Sequence, residues 1–258
     1  MTNKEALKQK QQQFDELVKD VSNCRICRHL FFPLGCPDGE YLDHSDHPGY
    51  LNAWNLQACD LMASCMILGQ DFGVLLDDET LQKGGFPERI IRQATKNRQF
   101  LSTTDKNVRS LLHIPDPQEA PDAPLKDYFF TNTACCYRQK GNTTEYNPSW
   151  YSICAYRFLG RLIRIIQPKV IIALGKEAFN ALSCCQNAAV AFPDDLPYSD
   201  GRENHVYRDL INLKKPFKLS FEDSDLPPID VYPVFHPSMM KLNQPAGYNW
   251  DYILDTLR

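Results

Sequence analysis

Apolar residues fall into short, spaced blocks along the chain, and the period inside each block gives the element. Between residues 4 and 23, Leu7, Phe14, Leu17 and Val21 recur near helical spacing, which predicts one amphipathic helix. Four short apolar runs read as buried strands: MILGQ at 66–70, DYFFTNTA at 127–134, KVIIAL at 169–174 and DVYPVF at 230–235. Helical patterns stand between them. DKNVRSLLHI (105–114) reads as a helix with Asp105 placed to cap it. WYSICAYRFLGRLIRIIQ (150–167) is strongly helical, and KEAFNAL (176–182) starts another helix directly after Gly175. Strands alternating with helices predict a mainly parallel sheet of four strands covered on both faces, a three-layer α/β/α sandwich.

Two stretches break this rhythm. Residues 77–104 are polar with no strand pattern, and residues 186–228 are acidic and Pro-rich and read as a long loop or insertion. The 258 residues, 43% of them hydrophobic, suffice for one full core, so a single domain over 1–258 with these two insertions is expected. No run of 18 apolar residues exists, and the first twenty residues are charged rather than signal-like. A membrane span is therefore not expected, and a cytoplasmic location is.

The net charge of −4 argues against a nucleic-acid binder that relies on bulk charge, and leaves room for a local basic face. Such a face is offered by 83–109, where Lys83, Arg89, Arg92, Lys96, Arg98, Lys106 and Arg109 are opposed only by Glu88 and Asp105. The same segment reads equally as a solvated helix surface.

In a parallel sheet, ligands sit at the carboxyl ends of the strands. Here those ends carry distinctive polar groups: Gly69-Gln70-Asp71-Phe72-Gly73 after the first strand, Asn132 in the second, and His236-Pro237-Ser238 after the last. Taken singly, each has a plain structural explanation, as a turn or cap residue. Together, an Asp, an Asn and a His at one sheet edge form a candidate active site. Ten cysteines are many for a reducing compartment and point to metal ligation or buried thiols. Cys24 and Cys27 form a Cys-x2-Cys knuckle, and Cys136 and Cys154 lie 18 positions apart, across a loop and into a helix. Four thiolates can hold Zn²⁺ or a [4Fe–4S] cluster, and spacing does not separate the two. Cys135 beside Cys136 is an ambiguity. Cys36 reads as a small buried residue, with a spare ligand as the alternative, and Cys59, Cys65, Cys184 and Cys185 read as inert core thiols.

The order GQD, TNT, HPS resembles the uracil-DNA glycosylase superfamily. The cysteine set, with Cys136 four residues after Asn132 and Cys154 in the following helix, is similar to its iron–sulfur branch, family 4. So is the phrase from Pro168 to Ala178, PKVIIALGKEA, and the likeness spans roughly 20–242. The resemblance implies a monofunctional DNA glycosylase, a monomer acting on DNA, with a [4Fe–4S] cluster favoured over zinc on Cys24, Cys27, Cys136 and Cys154. It implies Asp71 beneath the sugar and His236 at the base oxygen as catalytic groups. Gln70, Phe72, Gly73, Phe100 and Asn132 would line the base, with either phenylalanine stacking on it. Ser238, Met239, Met240 and Lys241 would enter the duplex. One departure is informative: family 4 typically has GEAPG where this chain has GQDFG, and Gln70-Asp71 is closer to the GQDPYH of family 1. Gly73 takes the place of the family 1 tyrosine that blocks C5-substituted pyrimidines. Two substrates therefore stay open: uracil in repair, and a C5-modified cytosine in phage DNA removed as defence. A binder of altered DNA without turnover, or a zinc-ribbon adaptor, is the non-enzymatic alternative.

Overall fold

The computed structural model describes residues 3–24, 26, 61–70, 103–115, 127–135, 148–193, 203–237 and 248–258. The N-terminal pattern forms helix α1, Asn3–Ser22. Its buried stripe is Phe14, Leu17, Val18 and Val21, whereas Leu7 is 42% exposed and lies off it. The Lys10 ammonium donates to two carbonyls, Leu61 O at 3.1 Å and Ile166 O at 2.7 Å, which pins the middle of α1 across the foot of the molecule.

All four apolar runs form strands: β1 (Cys65–Gly69), β2 (Tyr128–Asn132), β3 (Val170–Leu174) and β6 (Ile229–Val234). They lie side by side as β2-β1-β3-β6, and every pair among them is parallel. β1 and β3 are buried at every position, because helices cover both faces and leave no solvent side to demand polar residues.

The sheet has six strands, not the four that apolar runs alone suggest. The stretch 186–228 is not a continuous loop. Its described part holds β4 (Ala188–Ala191), helix α6 (Glu203–Asn212) and β5 (Phe217–Phe221). β5 pairs antiparallel with β6, and β4 antiparallel with β5, so the sheet is mixed. These two strands were hard to see because their burial alternates along each strand instead of running continuously. FKLSF is interrupted by polar residues and AAVA is only four residues long, so neither stands out as an apolar block.

The alternation of side chains across the sheet builds two cores. Met66, Leu68, Phe129, Ile171, Ala173, Phe217, Leu219 and Val231 point to one face and meet α1, the long helical segment 148–166 and helix α5 (Lys176–Leu182). Cys65, Ile67, Phe130, Ile172, Leu174, Tyr232 and Val234 point to the other. There they meet helix α2 (Thr103–Leu111) and helix α7 (Asp251–Leu257) with the preceding Trp250. The three layers are thus present. α2 begins two residues ahead of Asp105, which therefore lies inside the first turn rather than before it. The 150–167 pattern is helical throughout but not uniformly α: α3 (Pro148–Cys154) passes into a single π turn at Ala155–Leu159 and then into α4 (Gly160–Ile166). Gln167, at φ 57°, closes α4 in the left-handed conformation. No described helix is long and apolar enough to cross a membrane.

The ring of Phe14 packs edge-to-face on Phe129 of the sheet, with centroids 6.3 Å apart. If α1 is an integral layer rather than an appendage, Phe14→Ala will destabilise the whole domain by about 3–5 kcal/mol, the usual cost of emptying a buried phenylalanine site. Urea unfolding followed by circular dichroism checks this, and a single transition with an unchanged midpoint would contradict it.

Candidate active site

Parallel pairing sets the carboxyl ends of four strands along one edge. Gly69 is in register with Asn132, Ala173 with Pro233 and Leu174 with Val234. The edge therefore carries Asn132 on β2, Gln70 just past β1, Gly175 just past β3 and His236 two residues past β6. Neighbouring strands lie about 4.8 Å apart, so Asn132 and His236, three strands removed, stand roughly 14 Å apart along this edge. Asp71 follows Gln70 directly in sequence. Asp71, Phe72, Gly73, Phe100, Ser238, Met239, Met240 and Lys241 lie outside the described residues, as do Cys27 and Cys136.

The β1–β2 ladder continues past both strands. Thr133 donates its backbone N–H (2.9 Å) and its hydroxyl (3.2 Å) to Gly69 O, and Ala134 N–H donates to Gln70 O at 3.0 Å. The peptide that leads into Asp71 is thereby fixed against the Asn132 segment. Asn132 itself is buried, 8% exposed. Its carboxamide lies over the backbone of Gly69: a methyl group there would overlap Asn132 Oδ1 and stand 3.3 Å from its Cγ. Glycine at 69 is the space into which the amide fits. The Gln70 amide donates to the hydroxyl of Tyr151, a buried residue of α3, so this side chain is engaged with the helix layer.

His236 stands at the far side of the row, on a segment tied from several directions. Val234 O accepts from Gly175 N–H at 2.9 Å and from the Tyr207 hydroxyl at 3.0 Å. Phe235 N–H donates to the Tyr248 hydroxyl at 3.2 Å, which also accepts from the Trp250 indole N–H at 3.2 Å. The Asn107 amide donates to Pro237 O at 2.7 Å. Gly175 has φ of 92°, the left-handed region that disfavours a side chain, and this turn lets the chain pass from β3 into α5 beneath the histidine. Burial holds the Tyr207 phenol well above its ordinary pKa, with the nearby Tyr248, Glu177 and Tyr252 adding to the effect. It therefore stays a neutral donor to Val234 O at any working pH. Burial likewise raises Tyr248, against the opposing pull of its Trp250 and Phe235 hydrogen bonds.

Tyr151, Tyr207, Tyr248 and Asn107 carry no motif. Asn107 alone left a trace in the sequence, as an asparagine in the middle of an otherwise good helix, where its short amide competes with the backbone. Arg109, grouped above with the basic segment, is 5% exposed and belongs to the buried layer rather than to an outward-facing basic surface. Lys106 is exposed.

Five of the cysteines meet one core, Cys184 and Cys185 among them. Cys135 and Cys154 are buried in the same apolar cluster, and Cys24, directly after α1, packs against it. The Cys135 thiol and backbone N–H both hydrogen-bond the Cys154 sulfur, holding the Cys154 thiol below its ordinary pKa against the opposing effect of burial, with Arg157 helping. Cys154 is also the residue from which the π turn departs, a local distortion often found at functional sites. A buried thiol with a lowered pKa next to a cationic side chain suits a thiolate-liganded metal. No group of three or more His, Cys, Asp or Glu close enough to hold a metal ion occurs among the described residues, and two of the four expected ligands fall outside them. Cys65 is fully buried with its thiol pushed up by burial, and Cys185 is pushed up to about 12 for the same reason. Both are buried, as expected. Cys184 departs from that expectation in being only half-buried, its sulfur 3.5 Å from Ser152 Oγ.

The sequence pattern of the Uracil DNA glycosylase superfamily matches residues 56–252. The chain belongs to that superfamily. The matched region contains all six strands and the whole row from Gln70 to His236, while α1, Cys24 and Cys27 precede it. Membership assigns a DNA glycosylase-type function, in the hydrolase class, with DNA as the partner. No curated protein matches the chain.

The Gly69–Asn132 contact yields a sharp test for a uracil-DNA glycosylase relative. Gly69→Ala displaces only the tip of one short side chain, so the thermal midpoint should move by no more than about 4 °C. Base release should nevertheless fall by about 10-fold or more, because the amide leaves its place. Unchanged release by Gly69→Ala protein, in a gel assay of abasic-site formation, would show that the Asn132 amide does no work there.

Proposed function

We propose that the chain hydrolyses the N-glycosidic bond of a pyrimidine extruded from DNA, leaving an abasic site, and that uracil is the base removed. The observation that carries this reading is the parallel register that sets Asn132, the peptide preceding Asp71 and His236 on one sheet edge. Residues remote in sequence thereby share one edge, the kind of placement on which a pocket for an extruded base would draw.

The chemistry divides among them. As the C1′–N1 bond lengthens, the sugar gains oxocarbenium character, and Asp71 stabilises that charge and orients the water that attacks C1′. The bonding pair leaves with the base, whose developing negative charge at O2 is met by His236. The proton released by the water passes to solvent. Asn132 pairs with the Watson–Crick edge; its amide can present donor or acceptor and so does not by itself choose between uracil and cytosine. Gln70 and Gly73 complete the wall, Phe72 or Phe100 stacks on the ring, and Ser238, Met239, Met240 and Lys241 fill the gap in the stack and meet a phosphate. Cys24, Cys27, Cys136 and Cys154 would hold a [4Fe–4S] cluster, which when bound supplies a structural cross-link between the N-terminal segment and the sheet.

A second substrate reading rests on Gly73. Without a tyrosine at that position the space beside C5 stays open, which favours a C5-modified cytosine, as in phage DNA, as the alternative base. The 186–228 stretch lends this little weight. Its β4 and β5 extend the sheet on the side of β6 away from Asn132, and α6 brings Tyr207 under the histidine strand.

A panel of oligonucleotides carrying uracil, a thymine mismatch or C5-modified cytosines, treated with alkali after incubation, separates these readings. Cleavage at uracil is expected. Cleavage only at a C5-modified base would replace uracil, and retarded migration without cleavage of any strand would mark a binder. Asp71→Asn and His236→Ala should each slow base release by about 10²-fold or more; a wild-type rate in either refutes the role given to that residue. Cys136→Ser and Cys154→Ser should yield colourless protein of low solubility, with iron below the wild-type content. Iron retained in full, or zinc in place of iron in the wild type, would overturn the cluster.

A further inference from the structure

We infer that Asn107 is a positioning residue that fixes the exit of the His236 segment, an inference that rests on the role given to His236 above. Three of the bonds on this segment lie before the histidine: Gly175 N–H and the Tyr207 hydroxyl on Val234 O, and Phe235 N–H on the Tyr248 hydroxyl. They hold the chain as it arrives. The residue that follows is a proline, which has no N–H, so its carbonyl is the one backbone polar group through which residue 237 can be tied. That carbonyl accepts from Asn107 Nδ2 at 2.7 Å, across 130 residues of sequence.

The donor is itself rigidly mounted. The next residue, Val108, is fully buried, and Leu111 and Leu112 pack into the same core as Val234 and Trp250. Asn107 therefore couples a helix locked into the second core to the peptide just beyond His236. A mid-helix asparagine is a poorer helix former than alanine. Its place here is explained by the bond it makes. With both flanks tied, and with the residue before a proline already restricted to extended conformations, the imidazole has little backbone freedom left. Release of one flank lets the ring drift, and a displacement of about 1 Å at a reacting centre costs up to roughly 10²-fold in rate.

The test uses the full chain and four variants: Asn107→Ala, Asn107→Asp, His236→Ala and the double Asn107→Ala/His236→Ala. Asn107→Asp keeps the shape of the side chain but, once ionised, offers a carbonyl no hydrogen. Two quantities are read. One is single-turnover base release, with its split into rate and half-saturating concentration, on the panel oligonucleotide that wild type cleaves fastest. The other is hydrogen–deuterium exchange of peptides covering 233–238. Asn107→Ala and Asn107→Asp should both slow release by about 10- to 100-fold with half-saturation unchanged within about twofold. Both should speed exchange over 233–238 by roughly fivefold or more while β1 and β3 exchange as in wild type. The double variant should be no slower than His236→Ala, because Asn107 acts through the histidine. A wild-type rate in Asn107→Asp would reduce the residue to a space filler and overturn the inference, as would unchanged exchange in both single variants. If His236→Ala alone keeps full activity, the role of His236 falls. The exchange result then still decides whether Asn107 is the tether.

Discussion

Parallel pairing of β2, β1, β3 and β6 is the constraint on which everything else rests. Strands that run in one direction end together, and the register places Gly69 beside Asn132 and Leu174 beside Val234 at that common end. A sheet of this kind cannot pair by tight hairpins. Each crossover must travel over a face, and the helices that make those crossovers bury both sides. The price is a sheet with no solvent face, visible in the unbroken burial of CMILG and VIIAL. The return is a row of loop starts, held by a stiff platform, that gathers polar groups from distant parts of the chain along one edge.

The row is stiffened differently at its two sides. At the Asn132 side the means is backbone: the ladder runs on through Thr133 and Ala134, and a missing Cβ at Gly69 makes the place for the amide. At the His236 side the means is side chains reaching in from two helices and from the segment ahead of a third. Tyr207 of α6, Tyr248 ahead of α7 and Asn107 of α2 each satisfy one backbone group of the segment 234–237. The difference follows from the sheet. β1 and β2 are neighbours whose ends can bond to each other, whereas the segment after β6 leaves the sheet and must find partners elsewhere for its buried polar groups. Seen this way the antiparallel extension through β5 and β4 also has a use, since the stretch that builds it carries the helix bearing Tyr207.

Much of this was legible in the sequence. Continuous apolar runs located β1, β2, β3 and β6, because a strand covered on both faces has no polar positions to blur the signal. The motifs around Gln70, Asn132 and His236 marked the strand ends, and the family match over 56–252 agrees with that placement. The reading failed where one side of an element faces water. β4 and β5 alternate, are short, and sit in an acidic, Pro-rich stretch whose composition resembles a loop. Arg109 was grouped with its basic neighbours because charge is visible in a sequence and helix phase against a core is not.

What the sequence by itself determined is the set of candidate site groups and the order in which strands and helices deliver them, since residue type and hydrophobic period are local properties. What only the tertiary structure decided is who holds those groups still. Asn107 and Pro237 are 130 positions apart, Tyr207 and Val234 are 27 apart, and the place over Gly69 is filled by an amide from the neighbouring strand. Contacts of this kind arise from the path of the chain through three dimensions, and no local pattern of residues encodes them.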